Sequence, residues 1–255
     1  MGIHNAWRAV IWEEYAQEHP HFIGEDVVSE LLEKLLRYLN ELGKQFSIID
    51  LGCGDGILLY ALHSKGLLRN ASRVVGVDIS EERIRRLRSF RPFAEGIVGD
   101  VCDLKQVLDN SFDVAISTQV IEHVPDDSRM LGEIQRILKP GGYFYVSTVV
   151  KKRYGVWVYY EGGRGFKLDP THVREYRSEW EFLDLLERRG FEVIEYRSRG
   201  VRYPSMDLLL RLLMKLGLLR ISSDFYLKHK VLRKLRRMRI PVVGYKTIEV
   251  IARKV

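Results

Sequence analysis

Apolar positions along this chain switch between a helical period and short unbroken runs. In residues 1–45 the spacing is helical. Trp7, Val10, Ile11 and Tyr15 share one face, and Val27, Leu31, Leu32, Leu35, Leu36 and Leu39 form a longer stripe that Gly43 stops. From residue 46 onward, apolar β-branched runs alternate with amphipathic stretches. Strands are expected at Ser47–Leu51, Arg73–Asp78, Ala94–Val98, Phe112–Ser117, Tyr143–Val149, Phe191–Tyr196 and Tyr245–Ala252. Helices are expected at Ile57–Ser64, after a Ser80 cap, at Ser128–Leu138 before Pro140-Gly141-Gly142, and at Trp180–Arg189 before Gly190. Strand–helix units of this length imply right-handed crossovers and a parallel sheet covered on both faces.

Two segments break the alternation. Residues 150–178 are rich in glycine and aromatics (Tyr154, Trp157, Tyr159, Tyr160, Phe166). They read either as a hairpin packing its own rings or as a lid over an acceptor, and the lid is favoured because loops carry specificity. Residues 201–240 hold eleven Lys or Arg against two Asp, while the whole chain is only +7, so the rest is net negative. The basicity needs a local explanation. Ser205–Leu219 is largely Leu and Met with Asp207, Arg211 and Lys215 on one face, and Lys228–Ile240 pairs a narrow apolar face with a crowd of cations. Such an arm suits an anionic membrane surface. RNA phosphates or a solvated face are its alternatives.

Composition narrows the class. The hydrophobic share of 46% and charged share of 29% predict a packed core. The two cysteines, Cys53 and Cys102, form no CxxC pair, so neither a disulfide framework nor a zinc ribbon is expected, and a reducing cytoplasm fits. Charges near residue 1 break any signal-peptide core, and no apolar run is long enough to span a bilayer.

The chemistry is concentrated at the strand ends. The run Ser47-Ile48-Ile49-Asp50-Leu51-Gly52-Cys53-Gly54-Asp55-Gly56 is a buried strand, a turn free of side chains and a helix start, which lets a ligand lie on bare amides. Asp78 ends the second strand, where an acid can accept both hydroxyls of a ribose. Asp100 ends the third, placed to accept from an adenine amine. A nicotinamide dinucleotide fits less well, because the glycines are spaced G-x-G-x-G rather than G-x-G-x-x-G. An adenosine without a diphosphate is the better occupant.

Five blocks in order, DLGCGDG, VVGVDIS, VGDVCDL, FDVAISTQVIEHV and ILKPGGYFYVSTV, resemble the class I S-adenosylmethionine-dependent methyltransferases, above all the group that includes ubiquinone-biosynthesis methyltransferases. The likeness runs from about residue 46 to 150, with a continuation through residues 172–196. It implies a Rossmann-like, doubly wound α/β domain with a seven-stranded sheet ordered 3-2-1-4-5-7-6, the last strand antiparallel. One domain would span 1–255: a helical N-terminal cover (1–45), a cofactor-binding half (46–150), a lid insertion (151–178) and a basic helical insertion (201–240). The cofactor would be S-adenosyl-L-methionine. Gly52 and Gly54 would line its methionine half, Asp50 would fix the turn or reach the amino group through water, Asp78 would bind the ribose with Ile79 on the adenine face, Asp100 and Val101 would meet the adenine, and Gln119 would lie near the methyl. Tyr15 and Trp7 would belong to the cover.

In-line displacement at a sulfonium asks for a close nucleophile in a dry site, with a general base where the acceptor is a hydroxyl. His123 and His172 are the candidates, with Glu122 and Glu161 as alternatives. Each histidine also has a plain structural reading: His123 as a residue that packs or hydrogen-bonds behind the loop after the fourth strand, and His172 as a loop histidine satisfied by backbone. No catalytic metal is expected, since no acid–acid–amide set follows the fourth strand. The expected function is methyl transfer to a small acceptor of hydrophobic or lipid-like character. An RNA methyltransferase and a non-catalytic cofactor-binding protein are the alternatives. The fourth strand lacks the Pro-Pro-Tyr/Phe signature of adenine amino methyltransferases, which weakens the first of these.

Overall fold

The computed structural model describes residues 12–14, 16, 27–162, 165–204 and 239–255. Its elements are α1 (Glu30–Glu41), β1 (Phe46–Leu51), α2 (Ile57–Ser64), β2 (Ala71–Asp78), α3 (Glu81–Phe90), β3 (Glu95–Val98), β4 (Phe112–Thr118), α4 (Asp127–Ile137), β5 (Leu138–Lys151), β6 (Tyr159–Glu161), β7 (Gly165–Lys167), α5 (Glu179–Arg188), β8 (Phe191–Pro204) and β9 (Arg239–Lys254). Seven strands form one sheet in the order β3-β2-β1-β4-β5-β9-β8, and β6 and β7 pair separately. With that hairpin set aside, the order is the expected one. β9 runs antiparallel to both β5 and β8, and the other pairings are parallel.

Successive residues of β1 explain why both faces are covered. Ile48 points into a core with Leu31, Leu32, Leu35 and Leu36 of α1 and Leu59 of α2. Ile49 points the other way, into a core with Leu131 and Ile134 of α4 and Phe182 of α5. β1 is buried throughout, and apart from Ser47, whose hydroxyl donates to Asp113, and Asp50 at the ligand end, its side chains are apolar, as a strand covered on both faces requires. Side-chain oxygens cap the helices at their starts: Ser29, Ser80, Asp126 and Ser178 each accept from the backbone N–H three residues on.

The structure moves several expected boundaries. Pro140-Gly141-Gly142 falls inside β5, which begins at Leu138 directly after α4. Leu138 pairs with Phe112 and Tyr143 with Val114, so Lys139 to Gly142 form an irregular stretch between two paired positions of the strand. β8 runs eight residues past Tyr196 to Pro204, and β9 starts six residues before Tyr245, at Arg239. These two strands zip together through Arg202–Pro241, Tyr203–Ile240 and Pro204–Arg239. A cross-strand ladder supplies hydrogen bonds that Arg199-Gly200-Val201-Arg202 does not advertise in its own pattern. The ends of the proposed basic arm are therefore a β-ribbon, and its remainder, 205–238, lies outside the described residues, as do Trp7 and Tyr15. Among the described residues no helix is long and apolar enough to cross a membrane.

Leu131 is fully buried on α4 beneath the sheet. Leu131→Ala is expected to cost about 2–5 kcal/mol in urea unfolding, through lost transfer energy and the cavity left behind.

Candidate functional site

The carboxyl ends of β1, β2 and β4 converge on one cavity of about 310 Å³. Its floor is the turn after β1. The N–H groups of Gly52 and Cys53 donate to the carbonyl of Val77 at 2.8 and 2.9 Å, binding this turn to β2. Gly52 lies at φ +79° and a Cβ there would sit 2.3 Å from Val120 Cγ2, so only glycine fits. The cavity walls include Trp12, Gly54, Asp78, Ile79, Asp100 and Val101.

Asp78 is engaged by the chain itself. Its Oδ2 accepts from Gly54 N at 2.8 Å and its Oδ1 from Ser80 N at 3.0 Å. Capping and ligand binding coexist here, because each carboxylate oxygen has two lone pairs. Burial pushes the Asp78 pKa up, against the pull of the Ser80 and Gly54 amides and of Arg83. Asp100 behaves alike: its Oδ1 accepts from Cys102 N at 2.9 Å, while the residue still lines the cavity.

Asp50 is 1% exposed and does not line this cavity. Its Oδ1 has no hydrogen-bond partner, and burial, followed by the charge of Asp78, pushes its pKa up to about 7. A buried carboxylate oxygen without a donor is rare enough to point to a ligand or a bridging water.

The side of the cavity away from Asp78 and Asp100 in sequence, after β4, is polar. Gln119, at φ +54°, together with His123, Asp169 and Thr171, lines it. His123 Nδ1 lies 3.3 Å from Thr171 O and 3.1 Å from Thr171 Oγ1. Trp12 meets the His123 ring edge-on at 5.2 Å. His172 is not in the cavity wall. It is buried behind His123 with ring centroids 4.9 Å apart, and its Nδ1 is 2.8 Å from Glu175 Oε1. Glu122 is fully buried, its Oε2 accepts from Thr148 Oγ1 at 2.9 Å, and burial pushes its pKa up to about 7. Asp169 is held below the usual carboxylate range: burial opposes this, but the hydroxyl and amide of Thr171 outweigh it.

Of the expected residues, Gly52, Gly54, Asp78, Ile79, Asp100, Val101, Gln119 and His123 meet at this cavity, while Asp50 and His172 stand behind it. Tyr15 lies outside the described residues, and nothing is described of the Glu161 side chain. Among its described residues, segment 151–178 lines the cavity with Asp169 and Thr171, and none of its aromatic side chains is in the wall. Tyr160 packs on Phe166 and Trp157 on Tyr203 instead. The reading above also passed over Trp12 and Arg83. Arg83 is a buried cation 3.6 Å from Asp55. Its burial on the inner face of α3, beside Ile84 and Leu87, was available as a charged residue inside an apolar stripe.

A family profile described as a methyltransferase domain matches residues 49–146. The mitochondrial ubiquinone biosynthesis O-methyltransferase of Mus musculus is 30% identical over 199 residues, covering 71% of this chain and 52% of the mouse protein. The malonyl-[acyl-carrier protein] O-methyltransferase of Methylococcus capsulatus is 30% identical over 201 residues, covering 74% and 68%. The chain spans about half the length of most curated relatives it matches. In fold, it is similar to an S-adenosylmethionine-dependent methyltransferase from Mesorhizobium loti, with a TM-score of 0.54 at 23% identity over 91% of this chain and 100% of that one.

Ionising Asp50 is disfavoured in the folded state, whose pKa of about 7 lies above the unfolded value near 3.9. The wild-type chain therefore loses stability from this group as pH rises from about 4 through 7, and no more beyond. Asp50→Asn removes that dependence. Its stability relative to wild type is expected to climb by up to a few kcal/mol between about pH 4 and pH 8 in urea titrations, and a flat difference would refute the buried-acid assignment.

Proposed function

Since the chain belongs to the S-adenosylmethionine-dependent methyltransferase family, we propose that it transfers the methyl group of S-adenosylmethionine to a small acceptor. The supporting observation is the pairing of Asp78 and Asp100 at adjacent strand ends over a turn where no side chain fits at Gly52. The residues present suit an adenosyl sulfonium. Three acids on the cavity wall, Asp78, Asp100 and Asp169, with Asp50 behind it, outnumber the wall cation Arg83 and give a negative local field for a cationic ligand, and this field would oppose a diphosphate. When bound, S-adenosylmethionine supplies an electrophilic methyl that needs no further activation.

The chain's own part is binding, orientation and exclusion of water. Asp78 holds the ribose hydroxyls, and Asp100 with Val101 holds the adenine. Trp12 closes the cavity from the N-terminal side. Gln119 and His123 sit where the acceptor enters, so the acceptor atom is presented at the His123 end. His123 and His172 work there as one unit, His172 acting on His123 from behind. A small acceptor fits better than an RNA, since the cavity is about 310 Å³ and its acceptor side carries the carboxylate of Asp169 rather than a run of cations. The curated relatives named above act, by their names, on a ubiquinone precursor pathway and on an acyl-carrier-bound malonyl group, both through oxygen. An oxygen acceptor is accordingly part of this reading.

Exposed apolar groups support a hydrophobic acceptor delivered from an anionic lipid surface. Tyr154 and Tyr160 are 69% and 67% exposed, with Val156, Val158 and Val243 also exposed beside them. Val156 N donates to Val243 O at 3.2 Å, so the aromatic segment and the β8–β9 ribbon that leads into the basic segment form one surface. Exposed apolar side chains on strands that flank, in sequence, a segment rich in Lys and Arg match the composition of an interfacial anchor.

Two outcomes are expected. Asp78→Ala should weaken S-adenosylmethionine binding by about 1–3 kcal/mol in calorimetry, and unchanged affinity, or tighter binding of a nicotinamide dinucleotide, would sink the cofactor assignment. Replacing Arg236 and Arg237 by Ala should reduce sedimentation with phosphatidylserine vesicles while leaving neutral vesicles unaffected; equal binding to both would remove the membrane surface from this reading.

A further inference from the structure

Behind the acceptor end of the cavity, Glu122, His123 and His172 bring one potential ligand atom each to within 4.8 Å of one another. We propose that this cluster is a binding site for a divalent first-row transition ion, which would hold the oxygen of the acceptor. The inference deepens the methyltransferase reading and rests on it for the identity of that oxygen.

Four observations carry it. First, the donor set is two imidazoles and one carboxylate, which suits zinc, iron(II) or manganese(II) and leaves coordination positions open. Second, the Oε1 atom of Glu122 is wholly buried and has no hydrogen-bond partner, although it belongs to a fully buried acid. Third, each of the three side chains is oriented by a partner on its far side. His172 Nδ1 faces Glu175 Oε1 at 2.8 Å, His123 Nδ1 faces Thr171 O at 3.3 Å, and Glu122 Oε2 accepts from Thr148 Oγ1 at 2.9 Å. A carboxylate or carbonyl on Nδ1 selects the tautomer whose Nε2 carries the lone pair, the arrangement found behind metal-bound histidines. Fourth, the two chain segments are fastened together. Val173 N donates to Glu122 O at 2.9 Å, and Arg174 Nη1 donates to Ile121 O at 3.1 Å and Val124 O at 2.6 Å.

Metal–ligand bonds of about 2.0–2.2 Å place ligand atoms roughly 3–3.5 Å apart. The cluster therefore closes by side-chain rotation on binding, with the backbone already held. His123 is the one member that also lines the cavity, so the open positions face the acceptor. An ion there would lower the pKa of a bound hydroxyl, whose proton would pass to water as the acceptor enters, before the cavity is closed. The bare imidazole of His123 is then a ligand rather than the base.

The test uses the full chain without a histidine tag, stripped by a chelator and titrated with Zn2+ by calorimetry and with Co2+ by visible absorption. One equivalent is expected to bind, with Co2+ d–d bands characteristic of imidazole and carboxylate ligands. Glu122→Gln and His172→Asn should each weaken binding by at least about 10-fold, and Glu175→Gln by about 10–100-fold. The absence of any Zn2+ or Co2+ binding in wild type, or an affinity unchanged in Glu122→Gln, overturns the site. S-adenosylmethionine affinity measured on the same samples reports whether each variant is folded. If wild type binds the ion but not S-adenosylmethionine, the cofactor reading fails and the metal site stands. Should a variant fail to fold, the Co2+ spectrum of wild type decides by itself, since a spectrum without imidazole ligation places the ion elsewhere.

Discussion

The carboxylate of Asp78 is the tie on which the site depends. One oxygen holds the Gly54 amide and the other the Ser80 amide, so a single side chain joins the turn after β1 to the start of α3. The Gly52 and Cys53 amides bond to the carbonyl of Val77, in the same strand end. These bonds hold the turn in a shape where Gly52 lies against Val120 from the loop after β4. Three strand ends are thereby locked at fixed separations. The lone pairs left on Asp78 then face a preformed cavity, so ligand binding does not have to order the loop.

Burying acids is costly, and this chain buries several near one another. Asp50 and Glu122 are each pushed up to about 7, and Asp78 is raised as well, with burial the first cause in all three. Stability alone would favour apolar residues there. The acids are retained in a fold whose ligand is cationic, and a positive partner restores what burial removes. Arg83 answers part of this field from α3, 3.6 Å from Asp55. Arg83 also lines the cavity, so part of the negative potential is offset at the wall itself.

The end of the cavity proposed to receive the acceptor is built differently. Its residues come from two stretches about fifty positions apart, 119–124 and 169–175, held together by Arg174 and the Val173 amide bonding to carbonyls of the first stretch and by the contacts of His123 with Thr171 and His172. The cofactor end rests on the strand ladder and the acceptor end on side chain-to-carbonyl ties. That division lets acceptor preference change without disturbing the sheet.

The order of strands and helices, the glycine turn and the acids Asp78 and Asp100 were legible in the chain itself, because each depends on local chemistry: apolar period, φ above zero, a strand ending in a carboxylate. So was His123, which follows β4 in the QVIEH run. Tertiary structure decided which of these residues face the cavity. It set Asp50 and His172 behind the wall, drew Trp12 and Arg83 into it, and packed Tyr160 on Phe166 and Trp157 on Tyr203. It also lengthened β8 and β9 through Arg202 and Ile240, where pairing across strands supplies hydrogen bonds that neither sequence signals alone. Local patterns determine what a segment can be; only packing against distant segments determines which side chain meets a ligand, since that direction is set by contacts no short window contains.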